Sequence, residues 1–310
     1  MSFFDYLPAY ILNHSPKIIA AFEMDFLRNL PAFQKALKQN EKFTMLLQLG
    51  WSAELPEVIS ELKSRLAEAK NAFPEARFII LANSAKEVEN IRDFCEVYLA
   101  SHNAFLDPAR YKLAKTGKKK FDALYIARIT PFKRHELAEK IENLHLIGSY
   151  SEKEKEYFTR TIARFPHAVW SRKVPSFFIG RKIGEAACGL ALSAVEGAMF
   201  SCGEYSLCGI PVVNTVNLGG RDTLLPSFAV RYAEDNAASV AENVRYWVDN
   251  PIDPAEIREE FLRLAQPQKD TVQFLVDSIA GKHLPLPHKL NIRCRLLPHV
   301  KLIHGIRRVK

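Results

Sequence analysis

Short runs of almost wholly apolar residues recur along this chain, each followed by a stretch long enough for a helix, and that alternation restricts the fold more than any other feature. Residues 43–49 (FTMLLQL), 76–82 (ARFIILA), 121–127 (FDALYIA) and 144–147 (LHLI) have strand length. Runs that stay apolar without alternating belong to strands covered on both faces, as in parallel sheets. Weaker strand signals fall at 18–22, 97–100, 168–170, 188–193, 211–214 and 228–231. Helical stretches fall at 54–73, 85–95, 135–141, 153–164, 176–186, 199–208, 237–248 and 254–264, and residues 1–17 read as irregular. Strands alternating with helices of this length imply βαβ units and an α/β fold.

The series runs twice. Between the two halves lies DPARYKLAKTGKKK (107–120), polar, basic and interrupted by proline and glycine, which reads as an interdomain segment. The expected organisation is a first Rossmann-like domain at 1–115, a second at 116–280, and a basic tail at 281–310. A chain of 310 residues is long enough to give each domain its own core. In such sheets ligands bind beyond the carboxyl ends of the strands.

Charge is distributed unevenly. The net charge of +8 sits wholly after Asp277, where eight basic residues meet no acidic one, and residues 1–277 balance at 35 against 35. A protein that grips nucleic acid with its fold carries its basic residues on that fold, so nucleic acid is not the expected partner. The tail, residues 282–310, interleaves those charges with apolar residues, a composition suited to an anionic membrane surface. A terminus that is solvated or packed back fits equally, and Pro285, Pro287 and Pro298 prevent one long helix. Five cysteines without a CxxC pair indicate free thiols and a reducing, cytoplasmic setting. The N-terminus does not read as a signal peptide, and no apolar run reaches membrane-spanning length.

Residues 192–213 concentrate the chemistry. A buried strand ends at Glu196, Gly197 turns the chain, a helix starts near Met199 and Phe200, Cys208-Gly209 stops it, and Pro211-Val212-Val213 opens the next strand. The N-terminus of a helix attracts anions. Glu196 beside it would repel a phosphate and is better suited to hydroxyl groups such as those of a sugar, although a carboxylate favoured by the helix dipole alone also fits. Glu204 lies further along the same helix.

Two glutamates in this spacing, the CGIPVV strand and Gly219-Gly220 resemble the donor site of GT-B glycosyltransferases of the retaining family 4. Upstream, residues 122–135 (DALYIARITPFKRH) are similar to that family's first C-terminal strand and its Arg-x4-Lys loop, and the resemblance covers residues 121–250. It implies a GT-B-like fold, two Rossmann-like domains facing a cleft, with the N-terminal one reduced. It further implies that Arg128 and Lys133 hold the donor diphosphate and act with Glu196 in catalysis. Glu196 would contact the transferred sugar, Glu204 the ribose, and Gly197 with the amides of Met199 and Phe200 would complete the phosphate cradle. A guanidinium and an ammonium together offset two phosphate charges, so neither a metal nor a cofactor beyond the nucleotide-sugar donor is implied.

The implied activity is transfer of a hexose or related sugar, with retention, from a nucleotide-diphosphate sugar to a glycan or lipid-linked acceptor. Cell-surface polysaccharide or glycolipid synthesis at the cytoplasmic membrane face is the expected setting. A non-catalytic nucleotide-sugar-binding subunit and a GT-B-like nucleotide-sugar epimerase are the alternatives. In the first half, Trp51 and His102, with His14, are weak acceptor-side candidates: a core role is the readier reading for the tryptophan, and a capping or surface role for each histidine.

Overall fold

The apolar runs become two sheets in the computed structural model, which describes residues 9–286. The chain divides into two units, residues 9–106 with 265–286, and residues 107–264.

In the first unit β1 (Ala9–His14) and β2 (Lys17–Phe22) form an antiparallel hairpin. Short helices α1 (Glu23–Leu27) and α2 (Leu30–Ala36) lead to β3 (Phe43–Gln48). Then follow α3 (Pro56–Ala72), β4 (Arg77–Ala82), α4 (Ala85–Ile91) and β5 (Glu96–Leu99). Proline in the first turn opens α3, and the Ser84 hydroxyl caps α4 by accepting from the Glu87 amide. The strand order is β1-β2-β3-β4-β5, parallel from β2 onward. Each crossover steps the same way, so right-handed connections bring the helices to one face. There Ile19, Met45, Leu47 and Ile80 pack against Phe26, Phe33, Leu62 and Leu66. The alternate residues Ile18, Leu46 and Ile79 are equally buried, which accounts for the continuous apolar runs.

The second unit contains β6 (Phe121–Ile126), β7 (Leu144–Ile147), α5 (Lys155–Ile162), β8 (Val169–Ser171) and α6 (Ser176–Gly184). It continues with β9 (Ala186–Ala191), α7 (Phe200–Cys208), β10 (Val212–Thr215), β11 (Val230–Ala233) and α8 (Ala237–Asp249). All six strands are parallel, in the order β11-β10-β9-β6-β7-β8. The chain winds outward from β6 to β8, returns to the other side of β6, and winds outward again. β6 and β9 are therefore neighbours at which the strand order reverses. The last helix, α9 (Pro254–Ala280), starts in this unit and joins the first from Ala265 onward.

Several expectations differ from the structure, and the buried strand read as ending at Glu196 stops at Ala191. Residues 9–14, read as irregular, pair with β2. The stretch 135–141 is a 3-10 turn at His135–Ala138 and not a helix. The helix expected to end at 264 runs to Ala280 across Pro267. A proline removes one helical bond, but Ile257, Phe261, Ala265, Gln268, Val272 and Val276 form one buried stripe that holds the helix on both sides of it. Finally, the division falls after Leu106 and not after residue 115, because 107–114 belong to the second unit. Tyr111 is buried, its carbonyl and that of Pro108 accept bonds from Arg258, and the Ala114 amide donates to Cys208 O. Residues 265–280, expected in the second domain, group with the first. The tail from 287 onward lies outside the described residues, while 283 and 284 bond back to Asp277 on α9.

Candidate functional site

The reversal between β6 and β9 leaves a crevice at their carboxyl ends, where doubly wound sheets bind ligands. Loop 127–134 enters it from β6 and loop 192–199 from β9. The structure brings Lys133 and Glu196 into direct contact there. Lys133 Nζ donates to Glu196 Oε2, and both side chains are close to fully buried. The Ser193 hydroxyl donates to the same oxygen at 3.0 Å. Taking two charges out of water is favourable only when they stay paired, so the pair defines one end of the crevice as a fixed, neutral couple.

Two arginines fix the loop that carries Glu196. Arg221 is fully buried, donating to Ala191 O (2.9 Å), Ser193 O (2.7 Å) and Thr215 O, with Asp222 Oδ1 at 2.7 Å from Nε. Burial opposes its charge, yet Asp222 holds its pKa above the ordinary arginine value. Arg134 adopts a left-handed backbone (φ 50°), which costs about 1 kcal/mol for a residue with a Cβ. That turn points its side chain away from Lys133 and onto Leu192 O and Thr215 Oγ1, both at 2.6 Å, and Asp235 at 2.8 Å. Three consecutive carbonyls, 191 to 193, are thus gripped by two guanidinium groups. Beyond them the Val195–Leu218 bridge and the Glu196 N–H to Leu218 O bond (3.0 Å) tie the loop to the segment after β10.

The helix after the loop starts at Phe200, with Met199 as its cap, and Gly197 is buried in the turn before it. α7 ends at Gly209 (φ 74°), the left-handed stop that the Cys-Gly pair predicts. Tyr205 on α7 lies flat on the sheet because Gly189 has no Cβ, which would stand 2.3 Å from its ring. Its hydroxyl accepts the Ile126 amide (2.9 Å), closing the end of β6. Glu204 accepts a bond from the Tyr111 hydroxyl at 2.9 Å. Arg128 is more than half exposed and donates to Glu154, 2.9 Å from Nη2. Burial opposes the Glu154 charge, but bonds from Ser151 and Arg128 hold its pKa below the usual carboxylate value. Lys133 and Glu196 therefore meet directly, whereas Arg128 rests on the Ser151–Glu154 capping box and Glu204 on Tyr111.

His135, next to this loop, is buried against Tyr125 (centroids 4.8 Å apart), and burial, with Lys133 nearby, lowers its pKa to about 3. Its ring packs against Tyr125 at the edge of the site. The three residues that sequence reasoning missed are Arg134, Arg221 and Tyr111. Two of them adjoin motif positions, Arg134 after Lys133 and Arg221 after Gly219-Gly220, and adjacency was the only signal they carried.

In the first unit, Trp51 is half-buried in the loop after β3, and Gly50 N–H donates to the buried Glu23 carboxylate at 2.7 Å. His102 is buried in a 3-10 turn after β5, edge-on to Phe22, its amide bonded to Asn83 Oδ1. Both stand at the carboxyl ends of that sheet. His14 pairs with Lys17 at the opposite, amino end.

No family model matches the sequence, and no curated protein matches it. Solved structures do. The chain is similar to Anabaena HepE in complex with UDP, at 14% identity and a TM-score of 0.62, over 85% of this chain and 78% of that one. It is similar to sucrose-phosphate synthase from Thermosynechococcus elongatus at 12% identity and a TM-score of 0.61, covering 86% and 74%. TarM matches at 15% identity and a TM-score of 0.60, over 84% of this chain and 53% of TarM. The fold is that of the GT-B glycosyltransferases.

Proposed function

We propose that this chain transfers a sugar from a nucleoside-diphosphate sugar, with retention and without a metal, to a glycan or lipid-linked acceptor. The observation that carries the reading is the Lys133–Glu196 pair at the point where the second sheet reverses its strand order. The exposed Arg128 lies at the start of the loop that carries Lys133, and the loop that carries Glu196 leads into the N-terminus of α7. The solved HepE and TarM complexes with UDP add weight, since they share the fold.

An ammonium has three donors, so Lys133 can keep Glu196 and still reach a phosphate oxygen. Arg128, held at the surface by Glu154, can offer the donor diphosphate a bidentate contact. Both bonds to Glu196 land on Oε2, so Oε1 is the oxygen that would take a sugar hydroxyl. Glu204, steadied by Tyr111, would take ribose hydroxyls. As the bond to the leaving nucleoside diphosphate breaks, negative charge grows on its phosphate oxygens. Arg128, Lys133 and the α7 amides near Met199 and Phe200 would stabilise it without reorganising. Transfer at the cytoplasmic face of a membrane, in cell-surface polysaccharide or glycolipid synthesis, is the proposed setting, and Trp51 and His102 are the proposed acceptor-side residues.

A thermal-shift screen of nucleotide-sugars, followed by release of nucleoside diphosphate from the donor that binds, tests the reading. Arg128→Ala and Glu196→Gln should each weaken donor binding and turnover. If both leave binding and turnover unchanged, the site assignment is wrong.

A further inference from the structure

The second unit carries a charge segregation that the proposed donor site does not use. Residues 108–121 and 171–184 contain ten Lys or Arg and no Asp or Glu, while the rest of residues 1–277 carries 25 basic against 35 acidic. The fold lays these two stretches side by side. Arg110 Nη2 donates to Ser176 Oγ (3.2 Å), Tyr111 packs on Gly180, Ala114 packs on Gly184, and the Lys120 amide donates to Glu185 O (2.9 Å). Because Tyr111 and Ala114 point inward with Ile179 and Ile183 of α6, the residues between them point out. Lys112, Lys115, Lys118 and Arg181 are all exposed.

Apolar side chains stand among these cations. Leu113 is 44% exposed, Phe177 62% and Phe178 38%, with Arg181 over the Phe178 ring at 4.9 Å. Single exposed apolar residues are ordinary, but adjacent ones inside a basic field mark an interaction surface. We infer that this surface, formed by residues 108–121 and the outer side of α6, docks on an anionic phospholipid bilayer. The lysines would meet the headgroups, and Phe177, Phe178 and Leu113 would enter the boundary with the acyl chains. Both the sign and the pairing of charge with apolar tips fit that partner. A nucleic-acid duplex, whose bases are already stacked on one another, would be met by the cations alone, and an acidic protein would leave the phenyl rings without a matching surface. The inference stands independently of the transfer reading, because the assay needs no donor.

The test is sedimentation of the full chain with vesicles of phosphatidylcholine, alone or mixed with phosphatidylglycerol, at low and high salt. The wild type should bind the mixed vesicles and not the neutral ones. Each basic residue at an anionic surface contributes roughly fivefold in partitioning, so Lys112→Glu, Lys115→Glu and Lys118→Glu combined should lower binding by at least about a hundredfold. Phe177→Ser with Phe178→Ser should weaken the part of binding that survives high salt. Unchanged melting temperatures would show that these exposed substitutions leave the fold intact. Equal binding by the charge-reversed variant would place the contact elsewhere, the basic tail included, and would overturn the inference. So would binding of neutral and anionic vesicles alike, or binding of oligonucleotide or acidic peptide in preference to vesicles.

Discussion

Replacing Arg221 with methionine tests whether the loop carrying Glu196 is held from beneath. The unbranched side chain keeps much of the volume and deletes only the guanidinium. Lost with it are bonds to the carbonyls of Ala191, Ser193 and Thr215, all in the interior, and the pairing with Asp222. Bonds from a charged donor contribute about 1.5–3 kcal/mol each, but relief from burying the charge offsets part of that, and breaking a buried ion pair costs about 3–5 kcal/mol net. Asp222 keeps a bond from Asn214 Nδ2 at 2.9 Å, which limits the damage on its side. The expected loss is about 4 kcal/mol in urea unfolding, and a fall in Tm on the order of 10 °C for a unit of this size. Arg221→Lys keeps the charge near Asp222 but can reach fewer of the carbonyls, and should fall between. The second readout is donor binding. If Ser193 and Glu196 are positioned through this grip, the lysine variant should bind donor at least several-fold more weakly while still folded. A stability loss under about 1 kcal/mol for the methionine variant, or full donor affinity in the lysine variant, would refute the reasoning.

Burial raises both Glu23 and Glu87 to a pKa of about 7. Their folded values exceed the unfolded 4.5, so the first unit should be most stable below about pH 4.5 as far as these groups go. It should then lose up to about 3 kcal/mol for each as pH rises to 7. Urea unfolding at pH 5 and pH 8 should show that fall, and Glu23→Gln with Glu87→Gln should flatten it. The second unit should respond in the opposite sense, since burial lowers His135 to about 3 and His145 to about 4. Their stabilisation is complete above pH 6.5 and is lost as pH falls towards those values, which hydrogen exchange in β6 and β7, corrected for intrinsic rates, would report. Gly189→Ala should cost about 3 kcal/mol, because the new Cβ meets the Tyr205 ring, and that ring is pinned by Ile126 and by full burial. Adding Tyr205→Ala should remove the clash, so a double variant as unstable as the sum of the two would contradict the packing described.

The α/β fold and the repeat of its series were legible because burial on both faces leaves uninterrupted apolar runs, and the helix stop at Gly209 was legible from its dipeptide. Glu196, Lys133 and the helix after Gly197 stood out through spacing. What stayed hidden rests on partners distant in sequence. Arg221 acts on carbonyls about thirty residues away, and backbone acceptors leave no mark in a sequence. Arg134 carried no signal beyond its place beside Lys133, and its left-handed backbone leaves no mark in the sequence. β1 was missed because it is an edge strand with mostly half-buried residues, so its pattern is mixed. The extent of α9 was missed because Pro267 looks like a terminator unless the buried stripe is followed through it.

That last helix has a consequence for how the chain matures on the ribosome. Residues 107–264 are contiguous, so the second unit has its whole sequence as soon as Leu264 emerges. The first unit starts earlier but takes the piece from Ala265 to the end of α9 only after the whole second unit has been made. Domains whose segments are contiguous fold as they appear. Here the five-stranded sheet should wait as an incomplete intermediate through the synthesis of the entire second unit, and a chain arrested before α9 should display a finished second unit beside a protease-sensitive first one.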